Sequence, residues 1–325
     1  MKRKLSFSLI AMLFGLLSVL GGVSAQTTTY DPSLVHKNGA MAYEHMNYLA
    51  YEIGKRVAGS ENERKAETYI KSQFERMGFK TEVQEFSYTR RGTAYNSSNI
   101  VAYKPGKSTK QIIVGAHYDS VDKGLGVDDN ASGVGVMLEV AEVLKNVKTP
   151  YSIVFIAFGA EEVGLQGSNF YANQMSKTEI DNTVGMINLD SLAVGDNMYV
   201  YGSEGEDGFI RDQALEIAKK KKLNVGTNPG LNPHYPVGTT GDWSDHAPFK
   251  DKGIPIGYFE ATNWEIGDKD GYTQTEKHGS IWHTSNDTID FIEEKFPGRI
   301  EEHLSTFSIL LTDLLKFMNK TSTAK

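Results

Sequence analysis

Residues 111–116, Gln-Ile-Ile-Val-Gly-Ala, form a short apolar run without the polar alternation of a sheet face that meets water. Such a run belongs in the middle of a parallel sheet, buried on both faces. Parallel neighbours cannot be joined by a tight turn and need a crossover, usually a helix. The chain supplies that alternation, with a helical pattern at 131–145, a strand at 152–158, a helix near 168–175, strands at 184–189 and 198–201, a helix at 208–222 and a strand at 254–260. Helices at 41–56 and 61–79 and strands at 80–88 and 99–103 precede this array, and Ser60 with Glu63 is spaced as a capping box for the second helix. Near the end, Ile300, Leu304, Phe307, Leu310, Leu311, Leu314 and Phe317 recur at helical spacing, so 297–319 is expected to lay an apolar stripe on the sheet. The prediction is a single-domain α/β/α sandwich with a mostly parallel central sheet.

Residues 1–25 stand apart from that domain. Lys2, Arg3 and Lys4 precede an apolar stretch from Leu5 to Leu20, and small residues follow up to Ala25, the pattern of a secretory signal peptide. The stretch falls short of the roughly 20 residues that span a bilayer. The expected organisation is a signal peptide at 1–25 and a catalytic domain at 26–325, with the mature chain outside the cytoplasm (secreted, periplasmic or at the cell surface) and without a membrane span. Losing three cationic residues takes the formal charge from −7 to −10 (−7 − 3). That balance argues against a nucleic-acid partner, because phosphate binding needs a basic face. No cysteine is present. Disulfides, thiol nucleophiles and thiolate metal sites are therefore excluded, and a metal must sit on His, Asp and Glu, a set that suits zinc or another first-row ion.

Four short segments place metal-competent side chains just after expected strands: His117 with Asp119, Asp128 with Asp129, Glu161 with Glu162, and Asp190. A further segment, with His283 and Asp287, lies in the loop beyond strand 254–260. Ligands of open α/β sheets bind outside the carboxyl ends of the strands. Taken singly, each segment has an ordinary structural reading; Asp129-Asn130 before Ala-Ser-Gly, for example, can cap a helix. Taken together, at successive strand ends, they point to a metal centre. Loops 224–249 and 261–283 are longer than structureless connections usually are, and their Tyr235, Trp243, Trp264, Tyr272 and Trp282 suit the wall of a substrate pocket.

The spacing His117-x-Asp119, Asp129-Asn-Ala-Ser-Gly, Glu161-Glu162, Asp190 and His283-Thr-x-x-Asp-Thr, with Ser-Asp-His-Ala-Pro-Phe at 244–249, resembles the motifs of the co-catalytic zinc aminopeptidases. Glutamate carboxypeptidases and, more distantly, glutaminyl cyclases belong to the same group. The resemblance covers nearly all of the chain after residue 25. It implies two Zn(2+) ions, one on His117 and Asp190, the other on Glu162 and His283, with Asp129 bridging them. It further implies that Glu161 is the general base, that Asp119 orients His117, and that the Asp129–Asn130 peptide bond is cis. The implied activity is removal of the first residue from the N-terminus of a peptide or protein by a metal-activated water. Trp282 stands where relatives commonly carry tyrosine, and with Tyr118, His246 and Trp264 it is a candidate for substrate contact. Loop segments 228–232, 260–264, 269–272 and 297–301 resemble a branch with an implied preference for a basic first residue, for which Asp242, Asp245, Glu260 or Glu265 would supply the charge.

Two other activities belong to the same fold. A carboxypeptidase must hold a substrate carboxylate, which favours clustered arginines, and Arg211 is the one arginine between His117 and His283. A cyclase of this fold uses a single zinc, and a non-catalytic relative would have lost ligands or the base. All five ligand positions and the base are present.

Overall fold

The structure is a computed structural model that describes residues 37–319, so the expected signal peptide at 1–25 lies outside the described residues. Helix α1 (Ala40–Asn47) opens into a wider turn, Tyr48–Ile53, and is followed by α2 (Glu61–Arg76). Strands β1 (Lys80–Arg90) and β2 (Thr93–Lys104) form a hairpin, turned at Arg91 and Gly92 with φ of 49° and 81°. Positive φ at both central residues matches the right-handed twist of the flanking strands. This is why the hairpin runs further than the expected 80–88 and 99–103. The array continues with β3 (Gln111–His117), α3 (Gly133–Leu144), β4 (Ser152–Phe158), α4 (Gln166–Gln174), α5 (Lys177–Asn182), β5 (Thr183–Leu189), β6 (Asn197–Gly202), α6 (Phe209–Lys221), β7 (Val225–Gly226), α7 (Ala247–Asp251), β8 (Ile256–Thr262), α8 (Ile289–Lys295) and α9 (Arg299–Phe317).

The eight strands make one sheet in the order β1-β2-β4-β3-β5-β8-β6-β7. The central four, β4, β3, β5 and β8, are parallel, whereas β1, β2 and β6 add antiparallel pairings at the edges. From β3 the chain steps to β4 on one side and then crosses to β5 on the other. The carboxyl ends of β3 and β5 therefore flank a topological switch point, where an open sheet leaves a crevice. His117 ends β3, and Asp190 follows β5 directly.

Side chains alternate across the sheet as the pleat requires. Ile112, Val114 and Ala116 pack with α1, α2, α3, α6 and α9 on one face, while Ile113, Val154, Ile156, Phe158 and Met186 pack with α4 and α7 on the other. The stripe of α9 is buried from Ile300 to Leu314, but Phe317 is exposed at its end. Among the described residues, no helix is long and apolar enough to cross a membrane.

Two expectations for the N-terminal helices are corrected. The first helical segment does not reach residue 56: it stops at Gly54, φ 84°, and Arg56 is fully buried in the loop beyond, donating to the carbonyls of Tyr118, Leu125 and Gly126. The capping box at Ser60 is half formed. Ser60 Oγ accepts from the Glu63 amide, but the Glu63 carboxylate turns inward, accepting from Gly59 N, Ser97 Oγ and Ala160 N. Burial raises its pKa to about 7.

The start of α3 rests directly on the end of β5. A Cβ on Gly133 would lie 2.5 Å from the Leu189 carbonyl oxygen, one residue before Asp190. Overpacking of this kind costs about 1–3 kcal/mol. Gly133→Ala is expected to lower the thermal midpoint by several degrees in calorimetry and to reduce activity, because it pushes the Asp129 and Asp190 segments apart.

Candidate metal centre and cleft

A cleft of about 420 Å³ opens at the switch point, lined by His117, Asp129, Glu161, Glu162, Asp190 and His283 together with aromatic residues from the two long loops. The turn from Val127 to Ser132 carries Asp129 against both imidazoles. Asp129 Oδ1 is 3.1 Å from His117 Nε2, and its Oδ2 is 3.1 Å from His283 Nε2. His117 Nε2 also lies 3.4 Å from Asp190 Oδ1, and His283 Nε2 lies 2.8 Å from Glu162 Oε2. Ligand atoms of His117, Glu161 and Asp190 gather within 4.8 Å of one another, as do those of His117, Asp129 and Glu162. The Asp129–Asn130 peptide bond is cis.

Backbone amides fix these carboxylates. Asp119 Oδ1 accepts from Glu161 N at 2.9 Å and Oδ2 from Glu162 N at 3.2 Å, while Oδ1 stands 3.6 Å from His117 Nδ1, longer than a hydrogen bond. One buried carboxylate thus sits behind the histidine and under the paired glutamates. Asp287 does the same for the next segment, accepting from Asp128 N and Asp129 N at 2.7 and 3.2 Å. Asp128 turns away from the cleft and accepts from Ala193 N and Val194 N. Asn130 ties the turn to β5 through Leu189 O, and Ser244 donates to Asp190 Oδ2 at 2.6 Å.

The charges respond to this crowding. Burial opposes a charge on His117, but Glu161, Asp190, Asp119 and Asp129 together push its pKa well above the usual range. Hydrogen bonds to Asp129 and Glu162 push His283 up to about 11. Burial would raise Asp129, yet its bonds to the two histidines hold it below the ordinary carboxylate range. Glu161 is pushed well above that range by burial, with His117 opposing and Asp245, Asp190 and Glu162 adding to the rise. Burial, then the charge of Asp129, puts Glu162 near 7. Four carboxylates face two imidazoles, and among the described residues neither lysine nor arginine lines the cleft. Glu162 Oε1 is buried without a hydrogen-bond partner among the described residues. This set of carboxylate oxygens and imidazole nitrogens fits divalent first-row cations.

The cleft wall differs from the expectation in three places. Trp282 lines the cleft, but Tyr118, His246 and Trp264 do not. Tyr118 points into the hydrophobic core beneath, with its hydroxyl on Ser98 O at 2.9 Å. His246 is buried against Tyr258, with Nε2 on Gly241 O. Trp264 stands behind the wall, donating to the Tyr201 hydroxyl and packing on Tyr235 and Trp243. In their place Tyr235, Trp243, Tyr258, Tyr272, Leu165 and Asp270 line the cleft. Tyr235, Trp243 and Tyr272 come from the loops singled out by length and aromatic content; Tyr258 was hidden inside a strand. The four acidic residues expected to meet a basic side chain are also elsewhere. Asp242 pairs with Lys250 at 2.6 Å, Asp245 and Glu260 are buried outside the cleft lining, and Glu265 lies outside it.

Activation of water by a divalent cation is chemistry this donor set can serve, so fold and cleft together define a metal-dependent hydrolase. The model of peptidase family M28 matches residues 99–308. The alkaline phosphatase isozyme conversion protein of Escherichia coli (strain K12) is 37% identical over 319 residues, covering 88% of this chain and 92% of that one. Two solved structures share the fold at 20% identity: a zinc aminopeptidase from Bacillus subtilis (TM-score 0.71, covering 88% of this chain and 97% of that one) and the Porphyromonas gingivalis glutaminyl cyclase (TM-score 0.65, covering 85% and 97%). The chain belongs to peptidase family M28.

Replacing Asp119 with Asn substitutes an amide NH2 for one of the two oxygens that face the Glu161 and Glu162 amides. Supporting residues of this type are worth roughly 10- to 100-fold in activity. Asp119→Asn is expected to lose that much in kcat/KM, mostly in kcat, with the fold retained by circular dichroism.

Proposed function

We propose that this zinc-dependent aminopeptidase of family M28 removes the first residue of a polypeptide, with Glu161 as general base. The observation that carries the reading is a cleft whose charged lining, away from the histidines, is wholly acidic among the described residues. A free α-ammonium group is matched there, whereas a substrate carboxylate finds no lysine or arginine among the described lining residues. Arg211, the arginine a carboxypeptidase would need, is held on α6 by Ser203 O and Gly238 O, outside the cleft.

In this reading His117 and Asp190 would hold one zinc and Glu162 and His283 a second, with Asp129 available to both. Such cations, when bound, polarise the scissile carbonyl and acidify the attacking water. Glu161 takes the proton from that water and hands it to the departing amine. The Asp119 clamp, which accepts from the Glu161 amide and fixes its backbone, supports that role. Tyr258 and the loop aromatics exclude water around the first side chain.

Preference for a basic first residue is a finer part of the proposal, and it rests on Asp270, the acidic residue of the cleft lining that lies apart from the metal cluster. The placement of the mature chain outside the cytoplasm is also proposed, on the signal pattern at 1–25; N-terminal sequencing of the exported protein is expected to begin at residue 26.

Hydrolysis of aminoacyl p-nitroanilides is expected to vanish with a chelator and return with zinc, and Glu161→Gln is expected to lower kcat by roughly 10²–10⁴-fold. Activity that survives full metal removal would overturn the reading. Zinc titration of the stripped protein is expected to saturate at two ions per chain. Asp270→Asn is expected to lower kcat/KM for arginyl relative to leucyl substrate by about 3- to 10-fold, the scale of a partly exposed ion pair; an unchanged ratio removes the basic preference but leaves the aminopeptidase.

A further inference from the structure

The β1–β2 hairpin is longer than the sheet that carries it. Strand β2 pairs with β1 from Thr93 to Tyr103 but with β4 only from Ile100 to Lys104. Because β2 runs antiparallel to β4, the surplus continues past the carboxyl end of β4, where Glu161 and Glu162 follow that strand. A two-stranded ribbon is marginal alone and needs support. Here Tyr88 stacks on Tyr95 with ring centroids 5.5 Å apart, Phe86 stacks on Phe170, and both Phe86 and Tyr88 pack with Ala160 and Val163. Val163 thus rests on the hairpin, while the next two residues, Gly164 and Leu165, line the catalytic cleft.

The end of the hairpin is basic. Side chains two apart along a strand share a face, so Arg90 follows Phe86 and Tyr88 on the face turned to Ala160 and Val163, and Arg91 with Gly92 makes the turn. Both arginines are exposed, and neither has an ion pair among the described residues. Arg64, also exposed, donates to Gly59 O at the foot of this projection, where a Cβ on Gly59 would lie 3.0 Å from the Tyr95 ring. Arg91 takes a φ of 49°, at a place where a two-residue hairpin loop favours Asn-Gly. A charge kept where local geometry favours asparagine calls for a reason outside the fold.

We propose that Arg90 and Arg91 dock the body of a polypeptide substrate, taking an acidic segment that follows the residue to be removed. The proposal rests on the aminopeptidase reading, in which the N-terminus enters the cleft and the rest of the chain leaves it. Arg91 is three residues beyond Tyr88, about 10 Å at the rise of a strand. An extended substrate covers that distance in about three residues, so acidic side chains from about its fourth position onward are in reach. The two charged surfaces then orient one chain: its ammonium group goes to the acidic cleft and its acidic segment to the guanidinium groups, while the reverse approach is repelled at both ends.

Fluorescence anisotropy of C-terminally labelled Leu-Gly-Ser-Glu-Glu-Glu-Gly and its all-Gln counterpart, on the whole chain carrying Glu161→Gln, reads docking without turnover. Its failure is therefore separate from failure of the aminopeptidase reading, which p-nitroanilide hydrolysis tests. The acidic peptide is expected to bind about 3- to 10-fold tighter, the scale of two exposed ion pairs. That advantage is expected to vanish in about 1 M salt, where charges are screened beyond about 3 Å. It is also expected to vanish in Arg90→Gln/Arg91→Asn, which keeps the wild-type thermal midpoint because Asn-Gly suits the turn. Arg90→Lys/Arg91→Lys changes the same positions but keeps the charge, and is expected to retain the preference. Equal binding of the two peptides, a preference that persists at high salt or in Arg90→Gln/Arg91→Asn, or its loss in both double variants alike (the behaviour of a damaged hairpin) overturns the proposal.

Discussion

Carboxylates repel one another, and this fold holds four of them together at the ends of parallel strands. What makes that arrangement tolerable is a second rank of buried acids that face backbone amides. Asp119 receives the amides of Glu161 and Glu162, and Asp287 receives those of Asp128 and Asp129. Each fixes a pair of neighbouring residues through the backbone, leaving the side chains free to diverge. Adjacent glutamates can then serve different purposes. Glu162 reaches His283, while Glu161 faces the group around His117 and Asp190. Without such amide clamps, charge repulsion would spread the cluster.

The sheet explains why the clamps are where they are. Crossing from β4 over β3 to β5 opens the crevice between two strand ends. Residues that follow those ends are presented at one level, on backbone whose positions are set by the ladder below. The flanking helices contribute position more than chemistry. Glu63, on α2, accepts from Ala160 N and so braces the residue before Glu161, which has a φ of 55°. The long loops supply the wall, and they are held rather than loose. Asn228 donates to three carbonyls of its own loop, and Asn232 reaches Asp268 in the other.

Much of this was legible in the chain itself. Apolar runs such as 111–116 could be read as central strands because burial on both faces leaves no polar positions, and residues just past them were natural ligands. The cluster of His117, Asp129, Glu161, Glu162, Asp190 and His283 followed from that placement and from motif resemblance. Less legible were contacts set by direction rather than by order along the chain. Tyr118 is next to His117, but successive residues point to opposite sides, and its ring went into the core. Trp264 and Trp243 look alike in sequence, yet one backs the wall that the other faces. Tyr258 and Asp270 carried no motif and were found only when the strand and loop were in place. The Arg56 loop failed differently: helical periodicity continued past Gly54, and the left-handed glycine ended it.

His283 lies 166 residues after His117 (283 − 117 = 166), and the other members of the cluster are spread across the segments between them. Contacts this distant along the chain carry a large loop-closure cost, which the rest of the fold must offset. A chain cut short before His283 would lack the imidazole that meets Asp129 Oδ2 and Glu162 Oε2, leaving His117 as the one histidine of the cluster. The full donor set of the cleft is therefore assembled only once the chain has folded through to His283.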